Sequence, residues 1–328
     1  MGRFAGCRVT HSSAWLRSLE ASGIGTALQL VFERGGEVVG ALPGLVVAFG
    51  PLRLFGSPLP GWQTVSMGPV YDPSRVTTSD LVRAAVPYLE SVHGVRHVEM
   101  ISSTLDEMEM RACGFRGEEM PSYCGVLHPG AEERTMRALK DSARRNIRRA
   151  VRLGLTVRFT ADDAFVDEHY AQITEVFARG GNVVPFPKRR LRALVEHMRE
   201  DGQLLAATVY LPDGRTPIAT GTFTADGREL VLWMWAHYTR YRWYRPTELM
   251  TWLVMQRAMA AGCERFDLMG RGDFKAVFGA ELDGSKRRWV YSRLAWLTWV
   301  RDLAEKGFRW QQAIRGRAAR RALERSGA

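Results

Sequence analysis

The sequence lacks several features that mark common protein classes. No stretch of roughly 18 or more apolar residues occurs, so no membrane-spanning helix is expected. The N-terminal run MGRFAGCRVTHSS has no apolar core of the kind that signal peptides carry. Cysteine is scarce and shows no metal-ligand spacing, which favours reduced thiols in a cytoplasmic protein. The four cysteines are Cys7, Cys113, Cys124 and Cys263.

Basic residues, by contrast, are abundant and unevenly placed. The chain has 328 residues, 46% of them hydrophobic, which favours two domains with buried cores. Of the net charge of +11, residues 134–158 carry +8 and residues 286–328 carry +9, so the rest of the chain carries −6. Two basic segments on a mildly acidic body indicate a polyanionic partner: RNA, a phosphate-rich substrate or an anionic membrane surface. A solubilising face is the alternative interpretation.

The hydrophobic pattern predicts a similar order of elements in both halves: helix, hairpin, strand, helix, strand, short helix, strand. The first half contains Ser13–Ser22, Ala27–Glu33, Glu37–Val47, a Gly- and Pro-rich loop at Gly50–Gly61, Asp80–His93, Arg96–Ile101, Asp106–Cys113 and Ser122–Leu127. A single basic helix follows from Arg134 to Leu153. The second half contains Asp163–Arg179, Lys188–Glu200, Leu204–Tyr210, Pro217–Phe223, Glu229–His237, Pro246–Ala260, Glu264–Met269 and Arg287–Ser292.

One stretch, Cys263–Leu282, combines features that suit chemistry. A strand ends in a turn that Gly270 and Gly272 permit, because glycine adopts unusual backbone angles without steric cost. Asp273 is predicted to cap the short helix that follows, and Lys275 lies in its first turn. A cation beside exposed N–H groups suits an anion or a developing oxyanion. The alternative is a solvated surface lysine.

Three segments resemble the Fem-type peptidyltransferases, which group with bacterial GNAT-like acyltransferases. Phe274–Gly279 reads FKAVFG and resembles the family's FK-x-x-FG segment, preceded by a helix opening at RPTEL and an FDLMG strand. Lys140–Ala150 reads KDSARRNIRRA and resembles the basic helix in the middle of these proteins. Ser13–Leu16, with the hairpin that ends at Leu42-Pro43, is the third. The ordered set spans roughly residues 10 to 296.

The resemblance implies an α/β fold with mixed sheets, built as two tandem GNAT-like domains plus a basic C-terminal helix. We expect an N-terminal GNAT-like domain over residues 1–130 and a basic connecting helix and strand over 131–158. A C-terminal GNAT-like domain is expected over 159–296, and a basic helical tail over 297–328.

The segment where GNAT enzymes bind coenzyme A is unusual here. Those enzymes hold its pyrophosphate with a loop resembling R/Q-x-x-G-x-G/A, whereas His237–Thr247 reads HYTRYRWYRPT and has no glycine. Arginine forks suit phosphates and aromatic rings suit unpaired bases. The chain has no room, however, for the coiled-coil arm that some Fem-type proteins insert in the second domain, so the donor stays open.

The resemblance and the local chemistry together give a set of candidate site residues. Lys275 is expected to contact donor phosphate or the reacting carbonyl, and Tyr238 or His237 to bind the reacting amine, with His237 able to take its proton. Core packing is the alternative for both Tyr238 and His237. The residues expected to bind substrate are Arg144, Arg145, Arg240, Arg242, Arg245 and Arg271.

These observations predict an N-acyltransferase that forms an amide bond on an amine of a small molecule or cell-envelope precursor. The preferred donor is aminoacyl-tRNA, a co-substrate, so no cofactor is expected. The partners are then tRNA and an amine acceptor, with peripheral contact between the basic tail and an anionic membrane as an addition. Two alternatives stay open: an enzyme that uses acyl-CoA or acyl-carrier protein, and a non-catalytic RNA- or membrane-binding protein.

Overall fold

The computed structural model describes Phe4, residues 6–294 and a few tail positions (307, 314–317 and 320). Apart from those positions, the predicted basic helix over 297–328 lies outside the described residues. No helix in the described part of the chain is long and apolar enough to cross a membrane. The described residues also hold no group of three or more His, Cys, Asp or Glu that could bind a metal ion.

The chain divides into two compact units, each built around one mixed sheet. The elements up to residue 126 are α1 (Ser13–Ala21), β1 (Thr26–Arg34), β2 (Glu37–Phe49), β3 (Leu52–Ser57), β4 (Val70–Tyr71), α2 (Thr78–His93), β5 (Val95–Ser102), α3 (Glu107–Ala112), β6 (Arg116–Glu119) and β7 (Ser122–Val126). Those from residue 132 to 210 are α4 (Glu132–Ala138), α5 (Asp141–Arg152), β8 (Thr156–Phe159), α6 (Asp163–Arg179), α7 (Lys188–Glu200) and β9 (Leu204–Tyr210).

The remaining elements contain the segments that the sequence singled out. They are β10 (Pro217–Ala225), β11 (Glu229–His237), a 3-10 helix (Thr239–Tyr244), α8 (Pro246–Ala260), β12 (Arg265–Asp267), a 3-10 helix (Asp273–Phe278), β13 (Glu281–Asp283) and β14 (Arg287–Ser292). We call the first of these 3-10 helices the loop helix and the second the lysine helix.

The first unit comprises the chain up to Pro121 and the described residues of the segment 283–303. Its sheet has the order β1-β2-β3-β5-β14-β6, with β4 paired to β2. Its core cluster joins strand residues to the apolar face of α2. The largest contributors are Phe55, Leu89, Met100 and Trp289.

Strand β14 therefore belongs to the first unit, although the sequence placed it in a second domain over 159–296. It pairs antiparallel with both β5 and β6. Trp289 is buried in the first core, and a side chain on Gly117 would lie 2.7 Å from its ring, so glycine provides the necessary space. Neither long-range pairing nor this fit can be read from local periodicity.

The second unit takes Ser122–Leu282, so the predicted boundaries at 130 and 158 do not match the division. Strand β7 joins the second sheet, whose order is β13-β7-β12-β11-β10-β9-β8. A side chain on Gly125 would collide with the Phe266 ring, which explains the close fit of β7 against β12. Helices α5 and α8 share the main core cluster, and α6 contacts β10 and β11.

The basic segment forms two helices, α4 and α5, rather than the single predicted helix. Leu139 and Lys140 between them have extended backbones, with ψ of 146° and 153°. Leu139 is buried, and the Lys140 amide donates to the Val277 carbonyl at 3.0 Å. Tertiary packing against the lysine helix therefore overrides the local helical tendency at this point.

A second correction concerns the Gly- and Pro-rich loop predicted at Gly50–Gly61, which contains strand β3. This strand pairs parallel with β5, from Arg53 opposite Val95 to Ser57 opposite Met100. Its hydrogen-bond partners lie about 40 residues further along the chain, so no local pattern signals the pairing.

Candidate active site

Strands β11 and β12 separate shortly after they meet. They pair in parallel over only three positions, from Glu229 opposite Arg265 to Val231 opposite Asp267. Beyond Val231, β11 continues to His237 along β10, with a bulge in that ladder near Phe223. The edge of β11 that faces β12 thus loses its ladder partner halfway along. We call this unpaired edge, beside which the lysine helix lies, the opening.

Aromatic rings line this opening. Trp235 of β11 is half-buried, and its ring centroid lies 6.1 Å from that of Phe274 and 5.7 Å from that of Phe278. Phe223 of β10 contacts the same indole at 6.4 Å. Phe274 is 60% exposed, which is unusual for a large apolar side chain inside a cluster. An apolar surface with an exposed edge suits the organic part of a substrate.

Lys275 lies beside the opening and is buried, with only 9% of the residue exposed. Its ammonium group donates a hydrogen bond to the Met269 carbonyl, across the turn that joins β12 to the lysine helix. Burial lowers the pKa of Lys275, while the nearby Asp267 carboxylate opposes that shift. The alternative of a solvated surface lysine is therefore wrong.

The turn that carries Lys275 is held by a buried carboxylate. Asp267, 1% exposed, accepts hydrogen bonds from the Ser122 hydroxyl and from the Met269 amide at 2.7 Å. Met269 has a left-handed backbone with φ of 55°, and Gly270 continues the turn with φ of 53°. Hydrogen bonds at both its amide and its carbonyl hold Met269 in this strained conformation, so the carbonyl that binds Lys275 has a defined position.

Asp273 does not cap the lysine helix as the sequence predicted. The cap position is Gly272, with φ of 149°, and no side chain binds there. Asp273 instead accepts a hydrogen bond from the Tyr123 hydroxyl at 2.9 Å, and this bond raises the pKa of Tyr123. Arg271 is exposed and lies close enough to oppose that rise.

His237 and Tyr238 lie together where β11 ends, facing helix α6. Burial lowers the pKa of His237, and the Arg179 guanidinium lowers it further against the opposing effect of Glu175. Its Nδ1 atom lies 3.4 Å from the Thr247 hydroxyl. A neutral, half-buried imidazole can accept a proton near neutral pH.

Tyr238 has the opposite character, because its surroundings favour the protonated phenol. Burial raises its pKa to about 12, and the negative charge of the Glu168 carboxylate raises it further. The guanidinium of Arg240 lies 5.0 Å from the Tyr238 ring centroid.

The loop helix that follows is the segment without glycine, and its arginines are exposed. Arg240, Arg242 and Arg245 all face solvent, and Arg240 also lies over the Tyr241 ring. Arg245 adopts a left-handed backbone with φ of 58° directly before α8 begins. The segment therefore presents guanidinium groups and aromatic rings near a helix N-terminus.

The two candidate arginines of the basic helix α5 differ in their hydrogen bonds and exposure. Arg144 donates to the carbonyls of Arg137 at 2.7 Å and Leu139 at 2.8 Å, and it pairs with Asp141. The predicted substrate contact of Arg144 would have to replace these bonds. Arg145 is exposed. Arg149 stacks over the Trp243 ring at 4.8 Å and so links α5 to the loop helix.

The candidate residues form two groups within the described part of the second unit. Lys275 shares no hydrogen bond, ion pair or ring contact there with His237 or Tyr238. Glu168 and Glu175 on α6, which act on His237 and Tyr238 through their charge, were not predicted from the sequence. Their seven-residue spacing places them on one face of the helix, and that spacing was the available signal.

Residues 137–278 match the family model of the acetyltransferase (GNAT) domain. This segment is similar in sequence to GNAT domains. The point where β11 and β12 separate lies within residues 137–278, and so do the candidate site residues. No curated protein sequence matches the chain.

Solved structures extend the similarity to both units. The crystal structure of FemX is similar with a TM-score of 0.71 over 88% of this chain and 93% of that chain, at 13% identity. The C-terminal domain of a putative lysylphosphatidylglycerol synthetase from Agrobacterium fabrum gives 0.53 over 93% and 92%, at 14% identity. A tandem GNAT protein from the clavulanic acid biosynthesis pathway gives 0.52 over 82% and 83%, at 12% identity. The predicted α/β fold with two tandem GNAT-like domains is confirmed.

Proposed function

We propose that this protein is an N-acyltransferase that transfers an aminoacyl group from aminoacyl-tRNA to an amine, forming an amide. The observation that carries the proposal is the opening beside β11 in the GNAT domain, which ends in an arginine- and aromatic-rich segment without glycine. Acyl transfer needs a donor site, a free amine and stabilisation of the tetrahedral oxyanion. Separate residues of the second unit can supply each of these.

The reaction assigns a role to each group of residues. The acceptor amine attacks the ester carbonyl of the donor, and the new C–N bond forms as the C–O bond to the terminal ribose breaks. His237 takes the amine proton, and the ribose hydroxyl leaves with a proton from solvent. Lys275 contacts either the developing oxyanion or a donor phosphate, because two of its three N–H groups remain for substrate.

The preference for a tRNA donor follows from the loop helix. Backbone amides wrap a pyrophosphate most easily where glycines permit close approach, and Tyr238–Thr247 contains none. Exposed Arg240, Arg242 and Arg245 beside tyrosine and tryptophan rings suit a nucleotide end held by side chains. Arg145 and the exposed arginines near it on α5 extend this positive surface.

The names of two structural relatives agree with aminoacyl chemistry. FemX gives the higher TM-score, and the lysylphosphatidylglycerol synthetase domain is named for a lysyl product. An aminoacyl-tRNA donor would place the reaction in the cytoplasm.

An acyl-CoA or acyl-carrier-protein donor is the second candidate, favoured by the free N-terminus of α8 behind Arg245 and by the tandem GNAT relative, whose description mentions AcCoA. The third candidate is a non-catalytic RNA- or membrane-binding protein. The burial of Lys275 beside the opening argues against it, because binding alone does not require a buried lysine there.

A transfer assay with each donor class supplied separately tests the donor. We expect amide formation with charged tRNA, its loss after ribonuclease treatment, and weak binding of free coenzyme A by calorimetry. Transfer from acyl-CoA that survives ribonuclease would overturn the tRNA assignment and leave the acyltransferase assignment in place. RNA binding without transfer from any donor would favour the non-catalytic alternative.

A further inference from the structure

A continuous row of aromatic rings and guanidinium groups lies on the second unit between α5 and the end of β11. We call it the aromatic row, and its members in spatial order are Arg149, Trp243, Tyr244, Tyr241, Arg240 and Tyr238. At its outer end the Arg149 guanidinium lies over the Trp243 ring, 4.8 Å from its centroid. The Trp243 and Tyr244 centroids are 4.5 Å apart. Trp243 is 48% exposed, so a side chain that is usually well buried is presented to solvent.

The inner end of the aromatic row leads to the proposed proton acceptor. The Tyr244 ring centroid lies 6.2 Å from that of Tyr241. The Arg240 guanidinium lies 5.0 Å from the Tyr241 centroid and 5.0 Å from that of Tyr238. His237 directly precedes Tyr238 in the chain. The row therefore connects the exposed indole with the place of the proposed chemistry.

Hydrogen bonds to neighbouring helices hold both ends of the aromatic row. The Asn146 amide of α5 donates to Glu248 of α8 at 2.8 Å, which fixes the helix that carries Arg149 against the helix that follows the row. At the other end, the Thr239 backbone amide donates to the Glu175 carboxylate of α6 at 2.7 Å. A ligand that stacks on these rings therefore meets a site formed in advance, and little conformational freedom is lost on binding.

Rings that alternate with guanidinium groups suit unpaired nucleotides. An aromatic ring stacks on the face of any unpaired base, and a guanidinium fork binds the adjoining phosphate. A base inside a duplex has both faces covered by its neighbours, so the row favours single-stranded ends. Positive charge continues outward from Arg149, because Arg145 and Arg152 are exposed and lie on the same face of α5.

We propose that the aromatic row binds the unpaired 3′ end of the donor RNA, with one base stacked on Trp243 and the terminal nucleoside at Tyr241 and Tyr238. This inference rests on the proposed transfer from aminoacyl-tRNA. The paired stem then lies along Arg145 and Arg152, and the ester on the terminal ribose reaches His237. Coenzyme A also carries an adenine ring that could stack here, and the experiment separates that source from the RNA.

A binding test compares two RNA hairpins with the same paired stem, one blunt and one with an unpaired 3′ tail that ends in CCA. We expect the tailed hairpin to bind more tightly, and Trp243→Ala to weaken its binding by about tenfold, the contribution of one stacked base. Binding of the blunt hairpin should not change. Trp243→Phe keeps a ring and should keep most of the difference. Tyr88→Ala, which removes a 46% exposed ring of the first unit, is the matched control and should leave both affinities unchanged.

A probe in the RNA shows where the bases stack. The tail carries 2-aminopurine, whose fluorescence falls on stacking, at each position in turn. At a position before the last nucleotide, the quenching caused by the protein should be lost in Trp243→Ala and retained in Trp243→Phe, while the last position stays quenched. Equal affinity for the tailed and blunt hairpins would overturn the proposal, and so would quenching that Trp243→Ala leaves unchanged at every position.

Two further measurements separate this inference from the function on which it rests. If coenzyme A displaces the tailed hairpin and Trp243→Ala weakens binding of coenzyme A itself, the adenine belongs to coenzyme A and the RNA assignment is overturned. Tail-dependent binding without transfer from any donor would support the aromatic row as an RNA site and reject the proposed function. Transfer from charged tRNA with the same KM in wild type and Trp243→Ala would reject the RNA site and leave the proposed function in place.

Discussion

The two units differ at their parallel strand pair, which is β3 with β5 in the first unit and β11 with β12 in the second. In the first unit, β3 and β5 stay paired to the end of β3, where Ser57 lies opposite Met100. In the second, β11 and β12 part after Val231 and Asp267, and β11 runs on to His237. Both units share one general topology, so the difference lies in the segments that come after these strands.

In the first unit, a short segment lies across the ends of the two strands. The amides of Met67 and Gly68 donate to the Ile101 carbonyl at 3.3 and 3.0 Å. Ser57 donates to the Met67 carbonyl at 2.6 Å, and Met67 is fully buried. The backbone that would otherwise be open is thus satisfied by the chain itself, which leaves no room for a substrate there.

In the second unit, side chains border the corresponding region. Trp235 and Phe274 lie along the opening, and Lys275 is held beside it by the Met269 carbonyl. The first unit therefore closes this region with its own backbone, whereas the second borders it with side chains. Tandem copies can differ in this way because function depends on a site and not on the fold.

Buried histidines show a similar contrast. His97 in the first unit lies 2.9 Å from the Glu99 carboxylate, on the same strand. His169 in the second unit contacts the hydroxyls of Thr220 and Thr222, with no carboxylate at either ring nitrogen. Protonation of His169 would therefore place an uncompensated charge in the core.

The largest expected effect is that of Lys275→Ala. Loss of one oxyanion or phosphate contact should lower kcat/KM by about a hundredfold, or about 3 kcal/mol, with the fold retained. The measurement is steady-state kinetics with the donor identified by the transfer assay. Lys188→Ala, which removes an exposed lysine paired with Asp167, is the control and should stay near wild type. Equal losses in both variants would contradict a special role for Lys275.

The packing of the segment that covers the ends of β3 and β5 in the first unit can be disturbed with Gly68→Ala. The added carbon would lie 2.6 Å from the Ser102 side chain and 3.0 Å from the Ile101 carbonyl. We expect roughly 1–3 kcal/mol of destabilisation in chemical denaturation, with kcat unchanged below the transition. Gly284→Ala, where no atom lies within 4 Å, should fall within about 0.5 kcal/mol of wild type. A large loss of kcat in Gly68→Ala would show that the first unit takes part in catalysis.

Acidification should destabilise the protein partly through His169. Its pKa is about 3 when folded and 6.5 for an ordinary histidine, so the unfolded chain binds the extra proton between those values. Stability is therefore present above about pH 6.5 and falls as the pH drops toward 3, by at most about 1.4 kcal/mol per unit from this group. Denaturation midpoints of wild type and His169→Gln, followed against pH, give the comparison. The variant should have the smaller slope, and parallel curves would exclude His169 as the cause.

The smallest expected effect concerns the basic helix of the second unit. Arg145→Ala should reduce the slope of log affinity for tRNA against log salt by about 0.7–0.9, the contribution of one phosphate contact. Arg17→Ala, an exposed arginine on α1 of the first unit, should leave the slope unchanged. Binding measured by filter retention from low to moderate salt gives both slopes. A flat salt dependence in the wild type would remove the support for an RNA partner.

Much of the secondary structure could be predicted locally. Helices α6, α7 and α8 and strands β9 and β11 have the predicted limits, because their apolar spacing, Pro246 at a helix start and glycine-containing turns act over a few residues. The FKAVFG segment led to Lys275 and to the GNAT-like fold. The roles of Lys275, His237, Tyr238 and the candidate arginines stay predictions.

What the sequence determined by itself is the identity and order of local elements, the clustered positive charge and the absence of glycine before α8. Only the tertiary structure decided that β14 joins the first sheet and β7 the second, and that β11 leaves β12 after Val231. It also decided that Lys275 is buried and that the Glu168 carboxylate lies near enough to raise the pKa of Tyr238. The reason is physical: strand pairing, burial and hydrogen-bond direction depend on partners far away in the chain, and local periodicity carries no information about them.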